Sequence, residues 1–374
     1  MMDRLHQTCT RCVMDDTAAD ILFDERGACN FCTEFLASHA TRETLHTAAE
    51  FNRIVADIKR IGRRGLYDCV VGVSGGVDSS YVLHLAVEAG LRPLAVHLDN
   101  GWNSELAVAN INSLIARLKV DLYTHVIDWP ENRDMQLSMF KAGVVDIELL
   151  MDNAMLALNY RIARKFRLRH IVAGTYHATE GVRMPRGWNH FKLDAANIRA
   201  IHKRFGTEPI RSHPLIGTLS YLYFRHVRRI EWVSLLDYVT YEKQAALELL
   251  TTRYGYKPYP YKHYESVFTR FYQGYILPRK FGIDKRKVHL STLVMSGQLT
   301  RAEAVADLTK PPYDPEQLQA DRKFVIKKLG VDGGWLESYL ASACRAHADY
   351  PSEKPRWDRL LAQRARLKTM LRST

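Results

Sequence analysis

The residues best suited to chemistry form the run Ser74-Gly75-Gly76-Val77-Asp78-Ser79. Paired glycines let a backbone approach phosphate oxygens closely, and N–H groups at a helix start are unsatisfied donors at the positive end of its dipole. Ser74 and Ser79 add hydroxyl donors. Asp78 would be repelled by bare phosphate, so its presence implies a bridging Mg²⁺ and therefore a nucleotide such as ATP. The run contains no lysine. It is therefore not the Gly-x-x-x-x-Gly-Lys-Ser/Thr loop, and it also lacks the Gly-x-Gly-x-x-Gly spacing of dinucleotide folds.

A second constellation is Cys9-x-x-Cys12 and Cys29-x-x-Cys32, with sixteen residues between the pairs. This spacing suits a four-thiolate Zn²⁺ site, and four sulfurs close the tetrahedron. The metal should then be structural, with no position open to water. Redox or sulfur-transfer pairs are the competing reading. Gly27 suits the tight turn that the second pair needs.

These residues need a scaffold. Asp68 to Val73 reads as a buried strand ahead of the phosphate loop, and Tyr81, Val82, Leu85 and Ala86 line one face of the helix after it. Further strands are expected at Leu94 to Leu98, Asp121 to Ile127, His170 to Gly174 and Ile230 to Leu235, with a helix from Asp146 to Phe166. The alternation argues an α/β fold, a parallel sheet with helices on both faces. Expected boundaries are a cysteine ribbon at 1–42, a connecting helix at 43–65 (amphipathic over Thr44 to Arg60), the phosphate-loop domain at 66–240 and a helical region at 241–374. In that last region Thr300 to Glu303 reads as a capping box, and Asp314-Pro315 opens a helix ending near Gly330. Phe268, Phe271, Tyr272 and Tyr275 have the spacing of a core face.

The 374 residues, 47% hydrophobic, can bury a full core, and no membrane span or signal peptide is legible, so a cytoplasmic protein is expected. The net charge of +12 suits a polyanionic partner without choosing among nucleic acid, membrane surface and nucleotide. Basic residues crowd Arg253 to Lys287 and a surface helix beyond Glu353.

Ser-Gly-Gly-x-Asp-Ser resembles the loop of the PP-loop ATP pyrophosphatases, a Rossmann-like fold. The resemblance implies that Ser74 to Ser79 hold departing pyrophosphate while the α phosphate is attacked. It also places His97 and Asp99 near adenine, and Gly174 and Thr175 at the ligand edge. More broadly the chain is similar to the N-acetyl sugar amidotransferases of surface-polysaccharide (LPS O-antigen) biosynthesis. The features are the cysteine pairs, Gly174-Thr175 with Thr179-Glu180-Gly181, Trp188-x-x-x-Lys192-x-Asp194-x-x-Asn197-Ile198, Lys262-His263-Tyr264-Glu265-Ser266, and the stretch from Phe271 to Arg286.

That resemblance implies ATP-dependent conversion of an acetamido group on a nucleotide-linked sugar to an acetamidino group, releasing AMP. Asp78 would hold Mg²⁺, Lys192 would meet phosphates, and Glu180 would hold metal or position substrate. Lys262, His263, Arg279, Lys280, Lys285 and Arg286 would bind the substrate's diphosphate and carboxylate. Ammonia must come from elsewhere: Met2 replaces the cysteine of an N-terminal-nucleophile glutaminase, Cys69 is expected inside a strand and Cys344 inside a helix. A separate glutaminase with an ammonia-channelling barrel subunit, similar to imidazole glycerol phosphate synthase, is the implied partner. Two rivals remain: a PP-loop tRNA-modifying enzyme, thiolase or lysidine-type, and a zinc-ribbon binding module whose nucleotide fold is not catalytic.

Overall fold

The computed structural model describes residues 6–43, 47–259 and 265–372. Five short strands, β1 (Cys69–Gly72), β2 (Pro93–Asp99), β3 (Asp121–Val126), β4 (His170–Ala173) and β5 (Glu231–Ser234), pair in parallel in the order β3-β2-β1-β4-β5. Each expected strand is present, with ends within about two residues of those read from sequence. The chain runs outward from β1 to β3 and then returns past β1 to β4. The resulting switch point between β1 and β4 opens a crevice at the carboxyl ends of the strands.

Alternation of side chains decides which helices cover which face. Cys69 and Val71 point one way with Ala95 and Val172, into a core shared with Ile58, Val82, Leu83, Ile111 and Leu250. Val70 points the other way with Leu94, Val96 and Ile171, onto Ala154, Leu158 and Tyr160 of the helix Leu149–Lys165. Both faces are therefore dry, which is why these strands read as β-branched runs.

A third core joins the two ends of the chain. Met14, Phe31 and Phe35 from the cysteine module share it with Phe268, Phe271, Tyr272 and Tyr275, the expected core face, and with Trp102, Phe140 and Tyr339. The C-terminal helices stop and start as their caps dictate: Thr300 and Glu303 form the reciprocal capping box, and Asp314 caps the helix Pro315–Leu329, closed by Gly330 in the left-handed region. Among the described residues no strand follows β5.

Three expectations need adjustment. The amphipathic helix is Ala48–Gly62, capped by Thr47, and its expected start at Thr44 lies outside the described residues. The helix expected from Asp146 begins at Leu149, because Asp146 turns its carboxylate to Lys192 and to the backbone of His190 instead. Cys344 is in irregular chain after the helix Gly333–Ala341, where it is exposed. None of the described helices is long and apolar enough to cross a membrane.

Candidate active site

The loop from Ser74 to Ser79 joins β1 to the helix Val77–Glu88, whose N-cap is Gly76. Its serines brace each other: the two Oγ atoms are 3.1 Å apart, Ser79 Oγ accepts from Ser74 N–H at 3.3 Å, and Ser74 Oγ accepts from Gly76 N–H at 3.3 Å. Gly75 has φ of +85°, and a Cβ there would stand 2.9 Å from the Ala107 carbonyl oxygen. Its own carbonyl accepts from the hydroxyls of Tyr256 (2.8 Å) and Tyr259 (3.0 Å). Two tyrosines from beyond the sheet thus fix the peptide that must curve around a phosphate.

Asp78 is half-buried, and its Oδ1 accepts from the Tyr241 hydroxyl. Burial and the Asp78 charge push the Tyr241 hydroxyl well up, so it stays a donor. Tyr176, just after β4, packs edge-on against Tyr241 at 5.3 Å, and Gly174 approaches the backbone of Asp78 and Ser79 so closely that a Cβ would lie 2.8 Å away. Gly174 therefore meets the loop across the switch point. Thr175 is exposed and bonds Ser234 Oγ at 2.6 Å. Glu180 is exposed at the end of the short helix His177–Glu180, which is held by Asp237 accepting from His177 N–H at 2.9 Å.

Across the crevice Lys192 makes two ion pairs, with Asp146 at 2.6 Å and Asp152 at 2.8 Å. Burial works against both charged forms, yet the opposing charges prevail: Lys192 is raised above its ordinary value, and Lys192 with Lys285 holds Asp146 down at about 2. Asn153 fixes this segment by donating to the carbonyls of Lys192 and Ile216, each at 2.7 Å. Behind it His190 bonds Asp194 at 2.7 Å and stacks at 4.2 Å on His347. Burial and the neighbouring His190 lower His347 to about 3, so its neutral ring accepts from Asp146 N–H at 3.2 Å. Lys285 pairs with Glu148 at 3.2 Å, and Gln273 donates to the same carboxylate at 2.8 Å. This acidic and basic group at the start of the helix Leu149–Lys165 faces the carboxyl edge, where Asn100 beyond β2 contacts Met151 at 3.6 Å.

Several expected ligands have other occupations. His97 is buried and uses both ring nitrogens, on the Val73 carbonyl (2.9 Å) and on Asn103 (3.0 Å), so it braces the strand ends and is not an open nucleotide ligand. Asp99 accepts from Gly101 N–H at 2.8 Å and Asn103 at 3.3 Å. Lys280 caps a helix end through the Tyr339 and Ser342 carbonyls at 2.6 and 2.7 Å. Arg286 grips Asp284 and the Asp307 and Lys310 carbonyls. Their donors are committed to the fold, which removes the reading of these two as substrate ligands. Arg279 is exposed over the Tyr275 ring at 4.8 Å, and Lys262 and His263 lie outside the described residues.

Sequence reasoning missed Tyr241, Tyr256, Tyr259 and the acids Asp146, Glu148 and Asp152. The acids had a signal: three carboxylates interrupting an otherwise apolar helix start. The tyrosines had none, since each reaches the loop through its hydroxyl from a segment more than 150 residues away in sequence.

The four cysteines are buried with their ligand atoms all within 4.8 Å of one another. Cys9–Cys32 and Cys12–Cys29 sulfurs are 3.8 Å apart and Cys29–Cys32 3.6 Å. A tetrahedron with Zn–S bonds of about 2.3 Å has edges of about 3.8 Å, so the cluster is compatible with a structural zinc. Backbone N–H groups of Arg11, Cys12 and Cys29 point at Cys9 Sγ, as orienting partners of a thiolate ligand should. Cys69 is fully buried in β1, where burial pushes its thiol up and makes it inert.

With this geometry in hand, two family models account for most of the chain. That of the C-terminal domain of WbpG-like LPS biosynthesis proteins matches residues 265–364, and that of NAD synthase matches residues 50–201, including the loop, Gly174 and Lys192. This is a WbpG-type PP-loop enzyme. It has the ATP-utilising fold of an ATP-dependent carbon–nitrogen ligase of the amidotransferase type, with a helical WbpG-like end. In the WbpG-type chain the two matched parts meet directly: Glu265 O accepts from Ser104 N–H at 2.9 Å, and Val267 N–H donates to Trp102 O at 3.0 Å.

No curated protein matches the chain. Among solved structures, NMN synthetase from Francisella tularensis is 16% identical, with 57% of this chain and 89% of that one covered and a TM-score of 0.28. Glutamine-dependent NAD+ synthetase from Acinetobacter baumannii, in complex with ADP, is 18% identical over 76% of this chain and 46% of that one, with a TM-score of 0.34. NAD+ synthetase from Burkholderia pseudomallei is 19% identical over 60% and 99%, with a TM-score of 0.28.

Proposed function

We propose that this enzyme converts an N-acetyl group of a nucleotide-linked sugar, such as a UDP-diacetamido-uronic acid, into an acetamidino group. The observation that carries the reading is the joining of a lysine-free phosphate loop to a WbpG-like C-terminal domain. An acetamide carbon is a poor electrophile whose oxygen cannot leave as hydroxide. Attack of that oxygen on the α phosphate breaks the bond to the β phosphate, releases pyrophosphate and leaves an O-adenylated imidate. Ammonia then adds at the imidate carbon, the C–O bond breaks, AMP departs, and loss of a proton leaves the amidine.

The chain's residues divide this labour. Loop N–H groups and the Ser74 and Ser79 hydroxyls hold the β and γ phosphates, and Gly174 sets the loop against β4. Asp78 and Glu180 are the carboxylates that would hold Mg²⁺, which when bound neutralises charge on the departing pyrophosphate. Lys192, kept protonated by Asp146 and Asp152, offers a fixed positive charge at the carboxyl edge. Arg279 and Lys285 remain as side chains for the acidic substrate. Zinc in the four-cysteine module is structural. Ammonia comes from a separate glutaminase with a channelling barrel subunit, the partner the family resemblance implies, and Cys69 is buried and unreactive.

The test is to incubate the zinc-loaded protein with ATP, Mg²⁺, concentrated ammonium and UDP-diacetamido sugars. AMP, pyrophosphate and a sugar whose oxygen has been replaced by NH are expected. ADP as the nucleotide product would overturn the pyrophosphatase chemistry. AMP without an altered sugar would overturn the substrate.

A further inference from the structure

On the far side of the wall behind Lys192 lies a cleft of about 400 Å³. It is bounded by the helix Ala195–Phe205, the turn from Leu215 to Ser220 and the start of the helix Lys354–Arg372. Three arginines line it, Arg199, Arg356 and Arg359, and all are exposed. Among the described residues the side chains of Arg199 and Arg356 have no hydrogen bond or ion pair, and Arg359 uses only Nε, on the Pro355 carbonyl at 3.2 Å.

The single carboxylate in the lining is already consumed. Glu353 accepts from Ala196 N–H at 3.2 Å and from Thr218 N–H at 2.6 Å, so it stitches two chain segments together and neutralises none of the guanidinium groups. Arg161 adds to the excess: it donates to the Leu215 carbonyl at 3.1 Å, and burial together with Arg199 lowers it. Position makes the arrangement costlier. Arg356 and Arg359 sit at the electropositive start of a 19-residue helix that has no acid in its first turn. A cation in the first turn, as Arg356 is, is disfavoured by the helix dipole, and Arg359 follows one turn on. Thr218, between two lining residues, is fully buried with no partner for its Oγ1. Leu215, Leu219, Pro351 and Pro355 supply an apolar surface.

Concavity, uncompensated guanidinium charge, a helix start and an apolar floor have one shared complement. We propose that this cleft is a second binding site, separate from the phosphate loop, for a diphosphate ester carrying an apolar or planar group, that is, a nucleoside diphosphate or a molecule containing one. Arginine forks match phosphate oxygens bidentately, and the leucine and proline surface takes the base. A relay of bonds stands between this cleft and Lys192: Ser352 and Glu353 of the lining bond Asp194, Asp194 bonds His190, and Asp146 accepts from His190 N–H and from Lys192.

The experiment is calorimetric titration of the full-length, zinc-loaded protein, with the phosphate loop saturated by a non-hydrolysable ATP analogue and Mg²⁺. UDP, ADP and inorganic pyrophosphate are the probes, at fixed ionic strength. Saturable one-to-one binding of UDP or ADP is expected, weakened at least tenfold in Arg356→Ala/Arg359→Ala and separately in Arg199→Ala. Pyrophosphate should bind more weakly than either nucleotide; equal binding would overturn the apolar component and leave a bare anion site. No binding of any probe, or binding unaffected by all three substitutions, would overturn the site. Equal competition by sulfate would do the same by revealing an unspecific basic surface. Because these side chains are exposed, unchanged zinc content and circular dichroism are expected in the variants, and AMP formation at saturating ATP should be unchanged.

Discussion

Asp78 and Tyr241 illustrate how a loop motif depends on a residue outside it. The Tyr241 hydroxyl fixes Asp78 Oδ1, so Tyr241→Phe should raise the Mg²⁺ concentration needed for half-maximal AMP formation by about 10- to 100-fold, as loss of an outer-shell partner typically does. An unchanged Mg²⁺ requirement would mean that Tyr241 only packs. Lys192 and Asp146 make a second prediction, of pH dependence. Asp146 is held at about 2, below its unfolded value of about 3.9, so its contribution is complete above about pH 4 and is lost as the pH falls toward 2. Lys192 is raised, so its share is complete below about pH 10.4 and is lost only in stronger alkali. Asp146→Asn should cost about 3 kcal/mol at neutral pH by leaving Lys192 less well paired, and should flatten the acid limb of stability. Denaturant midpoints measured from neutral to acid pH would show both. Of these groups Asp78 and Lys192 were legible from motif and resemblance. Asp146 was not, because its role depends on a turn that sequence reads as the first residue of a helix.

The elements were more legible than the contacts between them. The inner strands β1, β2 and β4 announce themselves because both of their faces are buried, the edge strands β3 and β5 less so, and helix ends are marked by Thr300, Asp314 and Gly330. What sequence could not show is which turn would approach which. Gly174 is expected at the ligand edge, but nothing in the sequence says that it is the place where β4 touches the loop. Gly174→Ala puts a methyl 2.8 Å from the backbone of Asp78 and Ser79. It should raise the KM for ATP and cost about 1 to 3 kcal/mol through backbone displacement. ATP titration alongside thermal melting would separate the two effects. An unaltered KM would show that the loop tolerates the shift. Similarly, the basic stretch from Arg253 to Lys287 looked like a binding face. Lys280, Arg286, Arg270 and Lys287 are spent on helix ends and buried acids, and only the three-dimensional arrangement reveals it.

Taken whole, the molecule is held by contacts between its two ends. Arg301 donates to the carbonyls of Cys9 and Cys12 at 2.9 and 3.0 Å, Lys287 pairs with Asp15, and Ser291 Oγ accepts from Val13 N–H at 3.3 Å. The module's helix also reaches the crevice: Phe35 stacks on His177 at 5.0 Å, and Ser38 Oγ is 3.0 Å from His177 Nε2, at the start of the short helix that ends in Glu180. Cys12→Ser should therefore abolish bound metal, measured by atomic absorption, and speed amide hydrogen exchange at His177 to Glu180 while β1 and β2 remain protected. Uniform protection in the metal-free protein would show that the module is only a passenger. The same end-to-end docking also governs how the chain is made. The cysteine pairs leave the ribosome well before the rest of their core, since the surface that covers Met14, Phe31 and Phe35 includes residues such as Tyr339, about 300 positions later. At about 5 to 20 residues per second that is roughly 15 to 60 seconds in which a nascent thiol cluster has apolar neighbours that are only partly covered. Early capture of zinc would keep those thiols from oxidising or mispairing during the wait, so metal supply should limit the yield of newly synthesised protein more than the durability of protein already folded.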